Sequence, residues 1–324
     1  MSRVAPATRV GSRTFAVWRN GQTVEGDAAV PPSATVAVIT RTKDRPAFLA
    51  RAADSVGTQR FKDLIWVIVN DGGDPTPVEA AAGQASARGL AVVVLHLETS
   101  SGMEAASNTG VRAVRSDYVA LHDDDDAWHT DFLAKTVDKL EHHTRYVGAI
   151  SHTLEIHEDW RNGTPRELKR RAFQPCPPVI YLADLFVGNL FPPISLLFRR
   201  RAYESTGGFD ETFPVLGDWE FNLRLALEGD IAVIPEPLAY YYVRPKSPDG
   251  DPAANTVTAR MDHLEQDARF RNALLRKAVR DGRVDEGLLV SFHRLSYTRK
   301  LVQLGPRVVF KRASNWLLRR GPRL

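Results

Sequence analysis

One stretch decides the fold, and it reads Tyr118-Val119-Ala120-Leu121-His122-Asp123-Asp124-Asp125-Asp126. The apolar run at its start is typical of a strand that is buried on both faces, as in a parallel sheet. The aspartates that follow repel one another, which raises their pKa values unless a cation binds them. Carboxylate oxygens suit Mg²⁺ or Mn²⁺, which bridge protein carboxylates to substrate phosphates. We therefore expect a strand that ends at a divalent metal site.

Similar apolar runs lie upstream of this strand, at residues 35–40, 64–69 and 91–95. Segments in which apolar residues recur with helical spacing alternate with the runs, at about 46–56, 103–114 and 130–140. This alternation of strands and helices predicts an α/β fold with an open, mostly parallel sheet that is flanked by helices.

A polar loop follows each of the four predicted strands. The loops contain Thr40-Arg41-Thr42, Asn70-Asp71-Gly72-Gly73, Ser100-Ser101-Gly102 and the stretch from His122 to Asp126. Sheets of this type bind ligands in the crevice outside the carboxyl ends of their strands. We expect the four loops to converge on one crevice and to form a single binding site.

Other kinds of site with clustered aspartates were compared with the acidic run. An EF-hand loop that began at Asp123 would need an oxygen ligand at its fifth position and glycine at its sixth, but these are Ala127 and Trp128. A phosphatase with an aspartate nucleophile also places Asp-x-Asp after a strand, but Ala127 and Trp128 offer it no hydroxyl. An acidic turn that caps the next helix stays open as the plain structural interpretation.

The rest of the chain is predicted to form three parts. Residues 1–33 are polar and are expected to form an N-terminal arm with a short hairpin around Asn20-Gly21. Residues 34–245 are expected to form the sheet domain. Its second half has predicted strands at 195–198, 231–234 and 239–243, a turn at 207–210 and a helix at 218–228. A break rich in Pro, Gly and Asp then leads to a predicted helical extension over 246–324.

The composition is that of an ordinary globular protein. The chain has 324 residues and a net charge of +4, which is too small to argue for nucleic acid binding. Its single cysteine, Cys176, excludes an intramolecular disulfide, which fits a reducing compartment. Residues 1–20 lack the apolar core of a signal peptide, and no stretch reaches the ~18 apolar residues of a membrane span. We expect a cytoplasmic protein, either soluble or peripheral on the inner face of the membrane.

Several short motifs occur along the chain in a fixed order. They are Thr40 to Pro46, Val69 to Gly72, Asn108 to Gly110, Tyr118 to Trp128, Gly207 to Asp210 and Gly217 to Phe221. Taken together they cover about residues 34–245 and resemble family 2 glycosyltransferases of the GT-A fold. The resemblance implies a GT-A-type (Rossmann-like) sheet and the inverting transfer of a sugar from a nucleoside diphosphate sugar to a hydroxyl group.

The resemblance also implies which residues hold the nucleotide. Arg41, Thr42 and Asp44 would line the base and the ribose, and Asp71 would accept a hydrogen bond from the base. Arg41 replaces the small residue that is more usual in the family, so a phosphate contact is its alternative role. Asp71 is also the aspartate of an Asp-Gly turn. Gly102 would let the backbone approach the nucleotide, because glycine has no side chain.

The Asp-x-Asp element of the family maps onto the acidic run with a register that is open by one residue. Asp125 is assigned to the Mn²⁺ or Mg²⁺ ion. Asp123 or Asp124 would contact the ribose or the water shell of the ion.

The catalytic base of the family is a carboxylate near the start of a later helix. Asp218 matches it, and Gly217 stands where the family often has another acid. Asp218 is equally suited to cap its helix, and Glu220 is the reserve candidate. Trp219 and Glu220 are the candidates for acceptor contacts, with packing as the alternative for Trp219. Packing is the expected role of Trp128.

These roles predict a metal-dependent glycosyltransferase with a glycan or lipid-linked acceptor, which acts in cell-surface polysaccharide synthesis. One alternative is a non-catalytic module that binds a nucleotide sugar. Another is nucleotidyl or phosphoryl transfer on a similar sheet. That reaction would need a Gly-rich phosphate loop with a lysine after the first strand, and residues 40–46 contain no glycine. Residues 151–193 match no motif, so the sequence leaves the acceptor open.

The C-terminal stretch 306–324 combines basic and apolar residues. Arg307, Lys311, Arg312, Arg319, Arg320 and Arg323 alternate with a set in which Val309, Phe310, Ala313, Trp316 and Leu317 share one helix face. This pattern fits a helix that lies on an anionic membrane surface. A helix docked on the domain, or an edge that leads to a further domain, fits equally well.

Overall fold

The computed structural model describes residues 32–161, 164–175, 177–244 and 260–282, together with three strands between residues 8 and 24. The chain divides into two units, Met1–His263 and Leu264–Leu324. All the described strands lie in the first unit.

Short strands come from the segment that was predicted to form an N-terminal arm: β1 (Thr8–Val10), β2 (Arg13–Arg19) and β3 (Gln22–Val24). β2 pairs antiparallel with both β1 and β3. Because Arg19 pairs with Gln22, the chain reverses at the predicted hairpin position. Asn20 and Gly21 themselves lie outside the described residues.

Parallel strands form the centre of the sheet: β4 (Ser33–Thr42), β5 (Leu64–Asp71), β6 (Ala91–Leu97) and β7 (Arg115–Leu121). Their order is β6-β5-β4-β7, and β2 adds an antiparallel strand beyond β6. Val38 of β4 lies between Trp66 of β5 and Ala120 of β7, and all three side chains are fully buried. The continuous apolar runs are therefore strands with both faces covered, as predicted.

Helices follow the central strands: α1 (Pro46–Gly57), α2 (Pro75–Ala87), α3 (Met103–Ala113) and α4 (Phe132–Glu141). Pro46 lies in the first turn of α1, where its missing N–H group breaks no helical hydrogen bond. Phe48, Ala52 and Val56 form the buried face of α1, because residues four apart lie on the same side of a helix.

The second half of the sheet is mixed rather than parallel. It contains β8 (Ala127–Trp128), β9 (Tyr146–Arg161), β10 (Thr164–Ala172), β11 (Leu196–Arg199) and β12 (Asp230–Val243). The order continues as β7-β11-β9-β12-β8, with β11 antiparallel to both neighbours and β12 parallel to β9. The two strands predicted at 231–234 and 239–243 are one strand, whose pairing with β9 shifts at Pro237 because proline has no N–H group to donate.

The helices of this half are α5 (Leu182–Val187), α6 (Arg200–Thr206) and α7 (Gly217–Glu228). Phe221 of α7 packs against Phe198 of β11 and Phe209, with ring centroids 5.1 and 4.2 Å apart. This aromatic cluster fixes α7, and with it Asp218, against the sheet.

The predicted helical extension contains α8 (Arg260–Arg280). Its last turn carries Lys277 and Arg280, which suit the negative end of the helix dipole. The amphipathic stretch at 306–324 lies outside the described residues. Among the residues that are described, no helix is both long enough and apolar enough to cross a membrane.

Candidate active site

The polar loops after the four central strands meet at one edge of the sheet. The loop after β4 reaches the loop after β7, where Thr42 Oγ1 donates to Asp124 Oδ2 at 2.8 Å. It also reaches the loop after β5, where Asp74 N donates to Asp44 Oδ1 at 2.8 Å. The loops after β5 and β6 are joined by Ser101 N, which donates to an Asp71 oxygen at 2.7 Å. The loops therefore converge in the way that the topology predicts.

Asp123 is the most exposed carboxylate of the acidic run, with 28% of its side chain exposed. Arg41 donates to it from Nε at 3.0 Å and also from Nη2. Burial lowers the pKa of Arg41, but the charges of Asp123, Glu104 and Asp218 outweigh that effect and keep the guanidinium ionised. Arg41 also donates to Ser107 Oγ at 3.2 Å. Arg41 thus links the end of β4 and the loop after β7 to α3.

Asp124 is buried, and its two oxygens have different partners. Oδ2 accepts from the Thr42 hydroxyl, and Oδ1 lies 3.0 Å from Arg45 Nη1. Burial raises the pKa of Asp124 to about 7, with Asp125 adding to the rise and Arg45 opposing it. Through both of its oxygens, Asp124 joins the loop after β7 to the loop after β4.

Asp125 pairs with two arginines. Its Oδ2 accepts a hydrogen bond from Arg45 Nη2 at 2.7 Å and another from Arg244 Nη2. Its backbone carbonyl accepts from Arg51 Nη1 at 2.7 Å. Burial raises the pKa of this carboxyl, but Arg45 and Arg244 outweigh it and hold the pKa below its usual value. Asp125 is therefore the ionised member of the buried part of the run.

Asp126 is 1% exposed and serves the fold. Its Oδ1 accepts from the backbone N–H of Tyr242 at 2.9 Å, which ties the acidic run to β12. Burial raises the pKa of Asp126 well above its usual value, and the charges of Asp125 and Asp123 add to the rise.

A second buried carboxylate, Glu158 of β9, completes the charge network. It pairs with Arg51 at 2.7 Å and with Arg244 at 2.8 Å. The guanidinium groups of Arg45 and Arg244 each lie 4.5 Å from the ring centroid of Phe48. Arg45 before α1, Arg51 of α1 and Arg244 after β12 thus compensate the buried carboxylates of the acidic run and of β9, which lowers the cost of burying their charges.

Asp71 organises the loop after β6. Its carboxylate accepts from Ser100 Oγ at 2.8 Å, from both N and Oγ of Ser101, and from Gly102 N at 3.2 Å. Gly72, with φ +79°, brings its backbone so close that an added Cβ would lie 2.6 Å from Ser100 N. The Asp-Gly turn after β5 and the serine loop after β6 are therefore held together as one surface, which we call the ledge (residues 71–73 and 100–102). The contact between Asp71 and a nucleotide base stays a prediction.

Gly102 of the ledge and Asp44 of the loop after β4 are both exposed. Gly102 has φ +92° and nothing within 4 Å of an added Cβ, so its backbone conformation rather than lack of space requires glycine. Asp44 has φ +53°, which aspartate tolerates better than most residues. The nucleotide contacts predicted for both residues stay predictions.

Asp218 lies at the second position of α7, directly after Gly217. Asn189 Nδ2 donates to its Oδ2 at 2.7 Å. Burial raises the pKa of Asp218, while the Trp219 backbone N–H, Arg41 and Asn189 oppose the rise. A carboxylate whose proton affinity is raised, at the edge of the cleft, is suited to accept a proton.

The predicted acceptor contacts of Trp219 and Glu220 differ from what the structure contains. Trp219 is 2% exposed, and its Nε1 donates to Leu185 O at 2.7 Å, so it packs α7 against α5. Glu220 is buried, and both its oxygens accept hydrogen bonds from Arg224. Its carboxylate therefore serves the structure rather than standing in for Asp218 as a base. Trp128 is also buried and stacks on Phe132, which confirms the expected packing.

The carboxylates of the acidic run are the candidate ligands of a divalent ion. Among the described residues, no group of three or more His, Cys, Asp or Glu is arranged to hold a metal. Mg²⁺ and Mn²⁺ commonly take one or two protein carboxylates and complete their shell with water and substrate phosphates. The oxygen donors of Asp125 and the partly exposed Asp123 fit that mode. An ion on Asp125 would share this carboxylate with two guanidinium groups.

Several residues of the site were not predicted from the sequence. Arg45 belongs to the motif after β4, yet only the structure shows its pairing with two aspartates. Arg244 and Asn189 lie in stretches without a motif, far along the chain from Asp125 and Asp218. Glu104 lies two residues after Gly102, and its position near that loop was the one signal available.

The family of the chain follows from comparison with known proteins. The model of glycosyl transferase family 2 matches residues 36–204, which is more than half of the chain. The chain belongs to the family 2 glycosyltransferases. The matched segment contains the loops after β4, β5, β6 and β7, whereas Asp218 and Arg244 lie beyond its end.

Curated relatives agree with this family. The uncharacterized glycosyltransferase YwdF of Bacillus subtilis is 28% identical over 207 residues, which are 62% of this chain and 71% of YwdF. An uncharacterized glycosyltransferase of Nostoc sp. is 24% identical over 276 residues, covering 82% of this chain and 83% of that protein.

Solved structures share the fold. S. aureus TarS 1-349 in complex with UDP-GlcNAc has a TM-score of 0.53 at 18% identity, covering 66% of this chain and 60% of that one. The mannosyltransferase PcManGT from Pyrobaculum calidifontis, in complex with GDP-Man and Mn²⁺, has a TM-score of 0.53 at 18% identity, covering 84% and 73%. The GT-A-type fold predicted for this family 2 glycosyltransferase is confirmed.

Proposed function

We propose that this family 2 glycosyltransferase moves a sugar from a nucleoside diphosphate sugar to a hydroxyl acceptor with inversion at the anomeric carbon. The observation that carries the proposal is the presence of two distinct carboxylate centres at one cleft edge. One is the acidic run with its arginines, and the other is Asp218. Arg41 connects them, because it pairs with Asp123 and its charge also acts on the pKa of Asp218.

The donor is assigned to the first centre. TarS is described in complex with UDP-GlcNAc, and PcManGT in complex with GDP-Man and Mn²⁺. By analogy, Arg41, Thr42 and Asp44 would line the nucleoside, with Asp71 and Gly102 on the ledge opposite. Asp123 and Asp124 would contact the ribose or the water shell of the ion, and Asp125 would hold the ion.

The reaction is assigned to Asp218. Its carboxylate takes the proton of the acceptor hydroxyl while the acceptor oxygen bonds to the anomeric carbon, and the bond from that carbon to the diphosphate oxygen breaks. Attack from the face opposite the leaving group inverts the configuration. A divalent ion held at Asp125 would neutralise the charge that develops on the departing diphosphate. Asn189 holds Asp218 in place through its 2.7 Å hydrogen bond.

We assign acceptor binding to the surface formed by α5 and the residues just before it. Exposed apolar side chains cluster on and before this helix, at Val179, Tyr181, Leu182 and Val187. The Trp219–Leu185 hydrogen bond holds α5 on α7, and Asn189, two residues after Val187, bonds to Asp218. Apolar side chains so near the base favour a lipid-linked acceptor, as used in cell-surface polysaccharide synthesis.

Replacing the base tests the reaction. Asp218→Asn should lower transfer by about 10²–10⁴-fold, because an amide cannot take the proton of the acceptor. Donor binding should survive, measured as thermal stabilisation by UDP or GDP with Mn²⁺. Asp138→Asn on α4, whose side chain is 71% exposed, is the matched control and should keep full activity. Full activity of Asp218→Asn would overturn the assignment, and nucleotide binding without any turnover of the unaltered protein would indicate a binding module instead.

Replacing Asp125 tests the donor centre. Asp125→Ala should weaken the Mn²⁺-dependent part of nucleotide binding and also lower stability, because it leaves Arg45 and Arg244 without a carboxylate that both contact. Asp125→Asn keeps the side-chain volume and separates the two effects. The measurement is the shift of melting temperature by UDP or GDP at increasing Mn²⁺. An unchanged Mn²⁺ dependence in both variants would move the ion to another aspartate.

A further inference from the structure

Glu104 is a buried carboxylate that has no assigned role. It lies at the second position of α3 and is 4% exposed. Within the described part of the chain, its Oε2 is shielded from solvent and has no hydrogen-bond partner. A buried carboxylate oxygen without a partner costs stability, so its presence needs an explanation.

Glu104 fills the space in front of Gly217. A Cβ added at Gly217 would lie 2.5 Å from Cδ and 2.6 Å from Cγ of Glu104, and closer still to Oε1. The backbone of Gly217 is not in the left-handed region, so its φ angle does not require glycine. Space does, because any side chain at this position collides with Glu104. The two residues therefore share one site, which the side chain from α3 occupies.

The charges around Glu104 belong to the two carboxylate centres. Arg41 from β4 opposes it in charge, while Asp218 from α7 and Asp123 after β7 have the same charge. One guanidinium group thus faces three carboxylates. Burial raises the pKa of Glu104 to about 7, and the charges of Asp218 and Asp123 add to the rise.

We propose that Glu104 is a positioning residue for Asp218, a second carboxylate that enters the base site from α3 in the space left free by Gly217. Its negative charge near Asp218 strengthens Asp218 as a proton acceptor, since a like charge in a buried site favours the protonated form of its neighbour. It also fixes the start of α7 by packing against Gly217. This inference deepens the proposed function and rests on it.

A residue exchange tests the shared space. Gly217→Glu should lower the melting temperature, because its side chain collides with Glu104. Glu104→Ala in the same chain should remove the collision, so the double variant should melt higher than Gly217→Glu alone. Gly57→Glu is the control, at a helical glycine with nothing within 4 Å of an added Cβ, and Glu104→Ala should not rescue it. Additive effects of Gly217→Glu and Glu104→Ala on melting would overturn the inference.

The charge is tested by activity. Glu104→Gln keeps the shape and removes the charge, so the acidic limb of the profile of kcat/KM against pH should move to lower pH. The value of kcat should fall by up to about tenfold, because a weaker base takes the proton of the acceptor less readily. The double variant Glu104→Ala/Gly217→Glu should recover activity above Glu104→Ala, because it returns a carboxylate to the same space. The readout is release of UDP from UDP-GlcNAc or of GDP from GDP-mannose with Mn²⁺.

The outcomes separate this inference from the proposed function. An active protein whose acidic limb does not move in Glu104→Gln overturns the role of Glu104 and leaves Asp218 as the base. A protein that releases neither nucleotide, with or without Asp218, contradicts the proposed function for these donors. In that case the melting temperatures of the single and double variants at Glu104 and Gly217 still show whether the two side chains compete for the same space.

Discussion

The four aspartates of the acidic run are identical in sequence, yet each has a different environment. Asp123 pairs with Arg41 at the cleft, and Asp125 is held ionised by Arg45 and Arg244. Asp124 and Asp126 are buried, and burial raises the pKa of both. The sequence predicted a charged site at the end of β7, but the partners that distinguish the four residues come from distant parts of the chain. Their individual roles therefore need the structure.

Glu104 should make stability depend on pH in a specific direction. Its folded-state pKa of about 7 lies above its ordinary value of 4.5, so the folded state binds the proton more tightly than the unfolded state. This contribution to stability is complete below the ordinary value and is lost as pH rises through about 7. The loss amounts to about 3 kcal/mol.

Urea denaturation at pH 5 and pH 8 measures this loss. Glu104→Gln carries no charge to bury, so its stability relative to the unaltered protein should rise by about 2 to 3 kcal/mol between the two values. Comparison with Glu98→Gln, an exposed residue after β6, corrects for general effects of removing a carboxylate. A difference that stays constant with pH would contradict the burial of the Glu104 charge.

Asp218 was predicted as the base because it matches a family motif at the start of a helix, and that role stays a prediction. Asn189, which holds it, lies in a stretch without a motif. Trp219 and Glu220 were predicted to meet the acceptor, but helix geometry turns both into the protein, where Leu185 and Arg224 bind them. A position next to Asp218 in sequence therefore does not place a side chain at the surface of the site.

At the scale of elements, the parallel strands were predictable and the mixed half was only partly so. β4, β5, β6 and β7 are continuous apolar runs. Beyond Ile150 the buried residues of β9 are Ser151, Thr153, Ile156 and Glu158, so the strand has no apolar alternation to recognise. Long-range pairing with β11 and β12, rather than local pattern, defines that strand.

The ledge formed by the loops after β5 and β6 should depend on Gly72. Gly72→Ala should destabilise the protein by about 1–2 kcal/mol through its positive φ, and by more through the collision of Cβ with the backbone of Ser100. Nucleotide binding should weaken, because Asp71 and Ser101 shift with the loop.

Gly89→Ala is the matched control for Gly72→Ala. Gly89 has φ +90° but nothing within 4 Å of an added Cβ, so it carries the conformational cost without the collision. Melting temperature and the thermal shift by UDP or GDP measure the two effects. Equal losses in both variants would mean that the close approach at Gly72 contributes nothing.

At the scale of the whole molecule, the family 2 signature covers the central strands and the mixed half as far as β11 and α6, and it ends before α7 and β12. Composition and strand order predicted an α/β sheet, and the family resemblance supplied its GT-A type. The N-terminal segment was predicted as an arm, yet it adds strands to the sheet, because backbone hydrogen bonding to β6 does not require an apolar run.

The stretch 306–324 gives a prediction about the membrane. If it lies on an anionic surface, the full chain should sediment with phosphatidylglycerol vesicles, and removal of 306–324 should abolish this. Neutral phosphatidylcholine vesicles are the control and should bind less, since Arg and Lys side chains supply the attraction. Equal sedimentation with and without the stretch would contradict a membrane role for it.

Arg244 has a practical consequence for anyone who wishes to shorten this chain. It is 1% exposed. It is also the last residue described before the Pro-, Gly- and Asp-rich break at which the sheet domain is predicted to end. A cut placed one residue earlier would preserve every strand and helix of the sheet domain. It would nevertheless remove a guanidinium group that Asp125 and Glu158 share. Such a fragment would keep these strands and helices, but Asp125 and Glu158 would lose a buried positive charge that both contact. The safe boundary for a minimal enzyme therefore lies beyond Arg244.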